Sequence, residues 1–307
     1  MWYALDLGLR GHGIKKILLQ LDSNRVAGVF DTITAYDAGV DCVLQLGGIS
    51  PQDVRDLVHG AMFGRGVTDL KELAVFIGGS DISAGEAMLR AVQATFFGSM
   101  RVSVMLDSNG CNTTAAAVLA KVLSVGAVAR KRAVVLAGTG PVGLRTAALL
   151  AREEALVTIT SRSRPRAAAA CSSIQERFGV TVHPAEAVDT EGVRRVLEAA
   201  ELVVTTGAAG VMLLPETIWR GHTTLRVLAD VNAVPPLGIE GIDPTWDGQQ
   251  RDGKVSFGAL GIGGLKKKVH YACLARLFER NDQVLDAEQI GTIAREIERQ
   301  CVSSSSV

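Results

Sequence analysis

The stretch Ala133-Val-Val-Leu-Ala-Gly-Thr-Gly-Pro-Val-Gly143 decides the fold that this sequence predicts. An apolar strand over 133–137 leads into a G-x-G-x-x-G pattern, and a helix over 142–152 follows it. In that setting the first glycine permits a tight turn, the second lets the backbone approach a pyrophosphate, and the third lets helix and strand pack closely. An ordinary strand–turn–helix connection also uses glycines, but the strand and helix on either side favour a dinucleotide site. The cofactor residues predicted from this loop are Gly138, Thr139, Gly140, Val142 and Gly143.

The end of the next predicted strand bears on which dinucleotide binds. An enzyme that uses NAD commonly has an acidic residue there to hold the ribose 2′-hydroxyl, whereas this chain has Thr160-Ser-Arg-Ser-Arg164. A hydroxyl and two guanidinium groups suit a 2′-phosphate, so the sequence predicts NADP, with NAD as the weaker alternative. A solvated basic turn that caps the following helix is the other interpretation. The further predicted cofactor residues are Ser161, Arg162, Arg164, Gly207, Ala208 and Asn232.

Strands and helices alternate on both sides of the glycine loop. Such repeated strand–helix units predict an α/β fold of two lobes, each a mainly parallel sheet flanked by helices, the second of Rossmann type. The strands are predicted over 17–21, 42–46, 73–77, 102–106, 133–137, 157–160, 180–182, 202–206 and 226–229. Helices are predicted over 26–38, from 50, from 81 to 95, over 112–125, over 142–152 and from 265 onward.

Polar residues follow three strands of the first lobe, where open α/β sheets bind their ligands. They are the runs 22–24, 78–81 and 107–114, and the last carries the most hydrogen-bonding groups. Its side chains suit a heterocycle with amide-like edges, although Asn112 or Thr113 could also serve only to cap the next helix.

A glycine-rich run, Gly258-Ala-Leu-Gly-Ile-Gly-Gly264, precedes three consecutive lysines at 266–268. We interpret it as a flexible joint between strand and helix that presents a cation near a cleft between the lobes. Lysines at a helix N-terminus oppose the helix dipole, which favours a functional role over a merely solvated face.

The bulk composition excludes several classes of protein. With 32 basic and 32 acidic residues, no polyanion-binding surface is indicated, so nucleic acid is not an expected partner. Five scattered cysteines without a C-x-x-C pair argue against disulfides and structural zinc and favour the cytoplasm. No segment has the length to cross a membrane, and the five histidines lack metal-ligand spacing.

Four motifs taken in order resemble the NADP-dependent methylene-tetrahydromethanopterin dehydrogenases of methylotrophic bacteria. The resemblance runs from about residue 16 to about residue 299. Its motifs are Val104-Met-Leu-Asp107-Ser-Asn109-Gly-x-Asn112-Thr-Thr114, Val135-Leu-Ala-Gly138-Thr-Gly-Pro-Val-Gly143, Pro235-Pro-Leu-Gly-Ile-x-Gly-Ile-Asp243 and Phe257-Gly-Ala-Leu-Gly-Ile-Gly-Gly-Leu-Lys266.

The resemblance implies hydride transfer from methylene-tetrahydromethanopterin to NADP⁺, within one-carbon metabolism. It also implies a homo-oligomer, such as a trimer. The family's active-site lysine maps to Lys266, and its pterin-lining residues map to Asn109 and Thr114. We add Asp31, Asp107 and Asn112 as substrate-binding candidates, and expect Lys266 to orient a pterin or bridge atom with a depressed pKa or with Asp107 or Asp31 as a partner.

Three other functions remain open at this level. The carrier could be tetrahydrofolate. A shikimate-dehydrogenase-like enzyme would share the two lobes but needs a Lys/Asp pair in the first one, where no convincing lysine is found. An NADP sensor without turnover would leave the 107–114 run without a substrate. The predicted divisions are a flexible leader at 1–15, a pterin domain at 16–126, an NADP domain at 127–264, cleft helices at 265–300 and a disordered tail at 301–307.

Overall fold

The computed structural model describes residues 13–304, which form two compact units. Unit 1 comprises residues 13–109 and 271–285, and unit 2 comprises residues 110–270 and 286–304. The chain therefore passes between the units at three points, after Asn109, His270 and Leu285.

Unit 1 is a parallel α/β sheet. Within the described residues it has five strands in the order β12-β4-β3-β1-β2. The three central strands are almost wholly buried and pack against α2 and α3, which accounts for their continuous apolar sequence. The strands are β1 (Ile17–Asp22), β2 (Cys42–Leu46), β3 (Leu73–Gly78), β4 (Ser103–Leu106) and β12 (Val284–Leu285), and the helices are α1 (Val29–Asp37), α2 (Val54–Phe63) and α3 (Ile82–Ala94).

Unit 2 has a Rossmann-type sheet. Its strand order over the described residues is β10-β11-β9-β8-β5-β6-β7, parallel except for the antiparallel β10. The order reverses beside β5, between β6 and β8, and such a switch point is where α/β sheets bind their ligands. The strands are β5 (Arg132–Leu136), β6 (Leu156–Ser161), β7 (His183–Glu186), β8 (Leu202–Thr205), β9 (Val227–Asp230), β10 (Asp247–Arg251) and β11 (Lys254–Phe257). The helices are α4 (Cys111–Val125), α5 (Pro141–Arg152), α6 (Arg164–Phe178), α7 (Thr190–Leu197), α8 (Glu216–Trp219), α9 (Ala259–Arg276), which ends in unit 1, and α10 (Ala287–Ser304).

The α/β class with mainly parallel sheets is confirmed, but several details differ from the prediction. The seventh strand is His183–Glu186 rather than 180–182, because an edge strand tolerates Pro184. The β10–β11 hairpin and β12 were not predicted. The helix expected from residue 265 begins at Ala259, so the glycine run is the first part of α9 and not a joint. Lys266 is therefore well inside the helix, and the argument from the helix dipole fails.

Two glycines of this run, Gly258 and Gly261, serve close packing. A Cβ on Gly258 would lie 2.2 Å from the carbonyl oxygen of Asp243, and one on Gly261 would lie 2.2 Å from that of Trp246. Only glycine lets the start of α9 lie against this turn.

The division into units differs from the predicted domains. The whole of α4 belongs to unit 2, so the boundary falls at 109/110 and not at 126/127. The segment predicted as cleft helices is divided between the two units, because Tyr271–Leu285 belong to unit 1 and the residues on either side belong to unit 2. The tail predicted to be disordered from 301 continues α10 to Ser304, and 305–307 lie outside the described residues. Of the predicted leader, only 13–15 are described.

Two absences concern residues 13–304, the part of the chain that the structure describes. No helix there has both the length and the apolar composition that crossing a membrane requires. No three His, Cys, Asp or Glu side chains of this part of the chain are grouped as ligands of a metal ion would be.

Candidate active site

The glycine loop joins β5 to α5 as the sequence predicted. Gly140 is the N-cap of α5, and Pro141 begins the helix, where its missing N–H costs nothing. A Cβ on Gly143 would lie 2.6 Å from both Cα and the carbonyl oxygen of Gly138, so that position accepts only glycine. The space at Gly140 is open. The free N–H groups of the first turn of α5 therefore border a place that an anion can approach.

A cavity of about 350 Å³ lies beside this loop. It combines the glycine loop, the end of β6 and the residues after β8, and no acidic side chain is among those that line it. The lining residues are Leu136, Ala137, Thr139, Gly140, Thr160, Ser161, Arg162, Arg166, Ala187, Val193, Thr206, Gly207, Ala208, Val211 and Leu213. This lining fits a phosphorylated dinucleotide. The polar groups at the loop and the two guanidinium groups suit phosphates, and the apolar wall suits the rest of such a ligand.

Six predicted cofactor residues line this cavity: Thr139, Gly140, Ser161, Arg162, Gly207 and Ala208. Gly138 and Gly143 form the packed turn next to it. Three others do not line it. Val142 and Arg164 lie in the first turns of α5 and α6, and the Asn232 amide donates to Pro236 O at 3.1 Å while its oxygen accepts from Val234 N at 3.0 Å.

Arg166 lines the cavity and was not predicted. Ser163 caps α6 by accepting from the N–H of Arg166, so the basic turn is also a helix cap. Arg164 is the first residue of α6 and Arg166 is the third. In a helix of 3.6 residues per turn, these two side chains point to different faces. The sequence lacked an indication of which arginine faces the cavity.

Polar side chains gather at the carboxyl ends of the unit 1 strands. The Ser80 hydroxyl donates to Asn24 Oδ1 at 2.7 Å, which joins two of the predicted polar runs. The buried Asp22 accepts from the backbone N–H groups of Asn24 and Gly28. A Cβ on Gly78 would lie 3.3 Å from Asp22 Oδ2 and 3.6 Å from Asp31 Oδ2, so both carboxylates face the same spot.

Asp107 and Asn109 occupy the same edge of that sheet. Asp107 is buried and its backbone N–H donates to Ile77, while the exposed Asn109 donates from its backbone to Gly79 at 2.7 Å. Asn109 has φ 53°, a left-handed conformation that asparagine tolerates better than most residues.

In unit 2, Lys266 lies against Gly110. The Nζ atom is 2.7 Å from the place where a Cβ on Gly110 would stand, and Gly110 has φ +60°. The hydroxyl of Thr114 donates to Gly110 O at 2.7 Å. One turn further along α9, burial and Lys266 lower the pKa of His270 to about 3.

Asn112 is fully buried, unlike a residue that contacts a ligand. Its Nδ2 donates to Asp286 Oδ1 at 2.9 Å, and its Oδ1 accepts from Arg145 Nε. Asp286 also pairs with Arg177 at 2.5 Å. This network links α4, α5, α6 and the start of α10.

Known proteins resemble both the N-terminal part of this chain and the chain as a whole. The family model described as methylene-tetrahydromethanopterin dehydrogenase, N-terminal, matches residues 29–109, which lie in unit 1. The bifunctional protein MdtA of Methylorubrum extorquens is 47% identical over 285 residues, which cover 92% of this chain and 99% of that protein. The chain belongs to the methylene-tetrahydromethanopterin dehydrogenase family. This confirms the resemblance drawn from the four motifs.

A second relative in the same organism is named NAD(P)-dependent methylenetetrahydromethanopterin dehydrogenase. It is 28% identical over 300 residues, covering 92% of this chain and 99% of that protein. Among solved structures, a shikimate 5-dehydrogenase from Mycobacterium fortuitum has a TM-score of 0.49 and 14% identity, and covers 92% of this chain and 99% of its own.

The family match ends at Asn109, the last residue of unit 1 before the chain enters unit 2. The matched region thus lies within unit 1 and contains Asp31, Asp107 and Asn109. The cavity beside the glycine loop and Lys266 belong to unit 2.

Proposed function

We propose that this chain oxidises methylene-tetrahydromethanopterin to methenyl-tetrahydromethanopterin and reduces NADP⁺ to NADPH. The observation that carries the proposal is the dinucleotide cavity at the end of β5, in a chain 47% identical to MdtA over almost the whole of that protein. The name of the second relative supports the reaction and the NAD(P) class of cofactor.

The substrate itself provides most of the electronic stabilisation. Its one-carbon bridge lies between two nitrogens, so loss of a hydride leaves a cation that is delocalised over both. The protein's tasks are to orient the bridge and the nicotinamide and to exclude water. The loop at Gly138–Gly143 and the cavity side chains would hold the dinucleotide, and the start of α5 would supply N–H groups to its phosphates.

For the pterin we propose Asp31, Asp107 and Asn109 of unit 1, whose carboxylate and amide groups suit the heterocycle's hydrogen-bonding edge. For Lys266 we propose separately a hydrogen bond to a pterin or bridge atom that orients it, with Thr114 fixing the backbone at Gly110. For Asn112 we replace direct substrate contact by a supporting role, because its amide is buried.

The test is an absorbance assay of NADPH formation with formaldehyde, tetrahydromethanopterin and NADP⁺. Parallel reactions replace the carrier by tetrahydrofolate or the cofactor by NAD⁺. We expect turnover that depends on tetrahydromethanopterin. Faster turnover with tetrahydrofolate would favour that carrier, and NADPH binding without turnover on either carrier would reject a dehydrogenase in favour of a sensor.

The preference for NADP over NAD is assigned to Arg162 and Arg166. Both line the cavity at the end of β6, and a bound 2′-phosphate would receive charge-assisted hydrogen bonds worth about 1.5–3 kcal/mol each. Arg166→Ser should therefore raise KM for NADP⁺ by roughly tenfold or more and leave KM for NAD⁺ almost unchanged.

Arg164→Ser is the matched control, because Arg164 belongs to the same helix and does not line the cavity. If Arg164→Ser raised KM for NADP⁺ more than Arg166→Ser, the assignment drawn first from the sequence would be right and this one wrong.

The proposed assembly is a homo-oligomer that covers α1. Its exposed face carries large apolar side chains at helical spacing, which a monomer seldom leaves in water. They are Val29 (63% exposed), Phe30 (50%), Ile33 (56%) and Tyr36 (51%), and the exposed Val26 (66%) precedes the helix. The neighbouring strand β2 is an edge strand without a charged residue, and proteins commonly place charges on such edges to prevent pairing.

These features favour contact with a second copy of the chain. An uncharged edge strand can pair with the same strand of another copy, and the apolar face of α1 can pack against the same face. Light scattering should give a mass that is a multiple of 32.3 kDa, three times that value for a trimer. Ile33→Asp should dissociate the oligomer, whereas Val188→Asp, at a position 62% exposed in unit 2, should not. A monomeric wild-type chain would contradict the proposal.

The cellular location proposed is the cytoplasm. None of the five cysteines, all of which lie within residues 13–304, forms a disulfide bond, as is usual in a reducing compartment.

A further inference from the structure

We propose that Arg145 is a positioning residue of the reaction. Through Asn112 it holds the first turn of α4 to the dinucleotide helix α5, and so fixes Gly110 beside Lys266. The inference rests on the proposed function, because it concerns the placement of the groups assigned there to the pterin.

Arg145 is unusual for a residue one turn beyond a glycine loop. Its side chain is buried, with the residue only 3% exposed, although a guanidinium is costly to remove from water. Nε donates to Asn112 Oδ1, and Nη1 donates to Pro141 O at 3.4 Å. The guanidinium group thus donates hydrogen bonds both to the first turn of α5 and to a side chain of α4. Arg145 does not line the dinucleotide cavity, so direct cofactor binding does not explain it.

Asn112 transmits this contact with a defined direction. Its Oδ1 faces Arg145 and its Nδ2 faces Asp286 at 2.9 Å, and Asp286 is paired with Arg177. Turning the amide round would direct its N–H groups at a guanidinium and its oxygen at a carboxylate. The charges on either side therefore hold one orientation, which ties the backbone of α4 to its neighbours.

The first turn of α4 is where this orientation matters. Cys111 begins the helix directly after Gly110, whose lack of a Cβ leaves room for Lys266. The hydroxyl groups of Thr113 and Thr114 both donate to Gly110 O. A displacement of Asn112 would therefore move Gly110 and change its distance from Nζ of Lys266.

The kinetic test compares Arg145→Met with Arg152→Met. Both remove an arginine from α5, but Arg152 is exposed in the last turn of the helix. We expect Arg145→Met to lower kcat about tenfold or more while Kd for NADPH changes less than about threefold, since the loop itself is intact. Arg152→Met should behave like the wild type. Equal losses in kcat and NADPH affinity, or an unchanged kcat, would overturn the inference.

Hydrogen exchange supplies a readout that needs no turnover. In Arg145→Met, backbone amides over 111–116 should exchange faster, while those of α7 should keep their wild-type rates. Unchanged exchange over 111–116 would also overturn the inference. Absence of turnover in the wild-type chain would instead count against the proposed function.

Conservative variants separate positioning from bulk stability. Arg145→Lys keeps the charge but cannot bond Asn112 and Pro141 with one rigid group, so part of kcat should be lost at little cost in Tm. Asn112→Asp places a carboxylate against Asp286 and should lower kcat further, and combining it with Asp286→Asn should restore part of that loss. No recovery in the double variant would contradict the role given to Asn112.

Discussion

At the scale of single residues, Gly110 has two separate reasons to be glycine. Its φ of +60° is left-handed, and a Cβ there would meet Nζ of Lys266 at 2.7 Å. Gly179 shares only the first reason, because its φ is +68° and nothing lies within 4 Å of a Cβ. The pair can therefore separate backbone strain from displacement of the lysine.

Gly110→Ala should destabilise the protein by about 1 kcal/mol through the left-handed alanine, and Gly179→Ala should cost about the same. Only Gly110→Ala should also lower kcat/KM, by roughly tenfold, because it pushes Lys266 aside. Urea unfolding and steady-state kinetics on both variants measure the two effects. Equal kcat/KM in the two variants would show that the position of Lys266 relative to Gly110 is not critical.

The sequence predicted those site residues whose backbone role is visible in a local pattern. Gly138, Gly140 and Gly143 are such residues, because a strand and a helix must enclose them at fixed spacing. Arg145 and Arg166 were not predicted, because the direction in which a helical side chain faces its neighbours cannot be read from the sequence. Asn112 was predicted to bind substrate from its polar surroundings in the chain, and its burial follows from packing that the sequence does not display.

At the scale of secondary-structure elements, the chain adopts a strained backbone conformation directly after α5. Its C-cap is Glu153, and the exposed Glu154 after it has φ 64°. Glycine is the usual residue at this position of a helix end. The helix thus keeps a small conformational cost that its packing against α4 offsets.

Glu154→Gly should stabilise the protein by about 1 kcal/mol, since glycine adopts the left-handed conformation without a Cβ clash. Glu154→Ala removes the same charge and keeps the Cβ, so it should bring no such gain. Thermal unfolding of the two variants measures the difference. A stabilisation by alanine equal to that by glycine would assign the effect to charge.

The start of α9 shows where pattern reading of an element failed. Dense glycine predicts flexibility when it is judged by propensity alone. In the fold, Gly258 and Gly261 lie against the backbone at Asp243 and Trp246, so contact with another segment decides the outcome. The hairpin β10–β11 escaped prediction for a related reason: β10 is a polar edge strand without apolar alternation.

At the scale of the whole molecule, His270 links stability to pH. The residue is 1% exposed, and burial together with Lys266 lowers its pKa to about 3, whereas an unfolded histidine titrates near 6.5. Between these values the unfolded chain binds a proton that the folded chain does not. The free energy of unfolding therefore falls as the pH falls from about 6.5 towards 3, by up to about 1.4 kcal/mol per pH unit from this group.

His270→Gln should remove that part of the slope. Urea unfolding at about pH 7 and about pH 5 should show a smaller loss on acidification than in the wild type, whatever the absolute stability of the variant. His183→Gln, at an exposed histidine, is the control for replacing an imidazole by an amide. A slope in His270→Gln equal to that of the wild type would show that His270 takes up its proton in the folded state.

The pairing of β12 with β4 has a consequence for folding during translation. Val284 and Leu285 join the unit 1 sheet beside Val104 and Met105, so translation must pass through all of residues 110–270 before that strand emerges. Until then, the nascent chain presents β4 as an open edge, which is the kind of surface that chaperones shield. A gene fragment that stops after residue 109 would yield the same unfinished sheet permanently, and adding 271–285 through a short linker is the way to complete it.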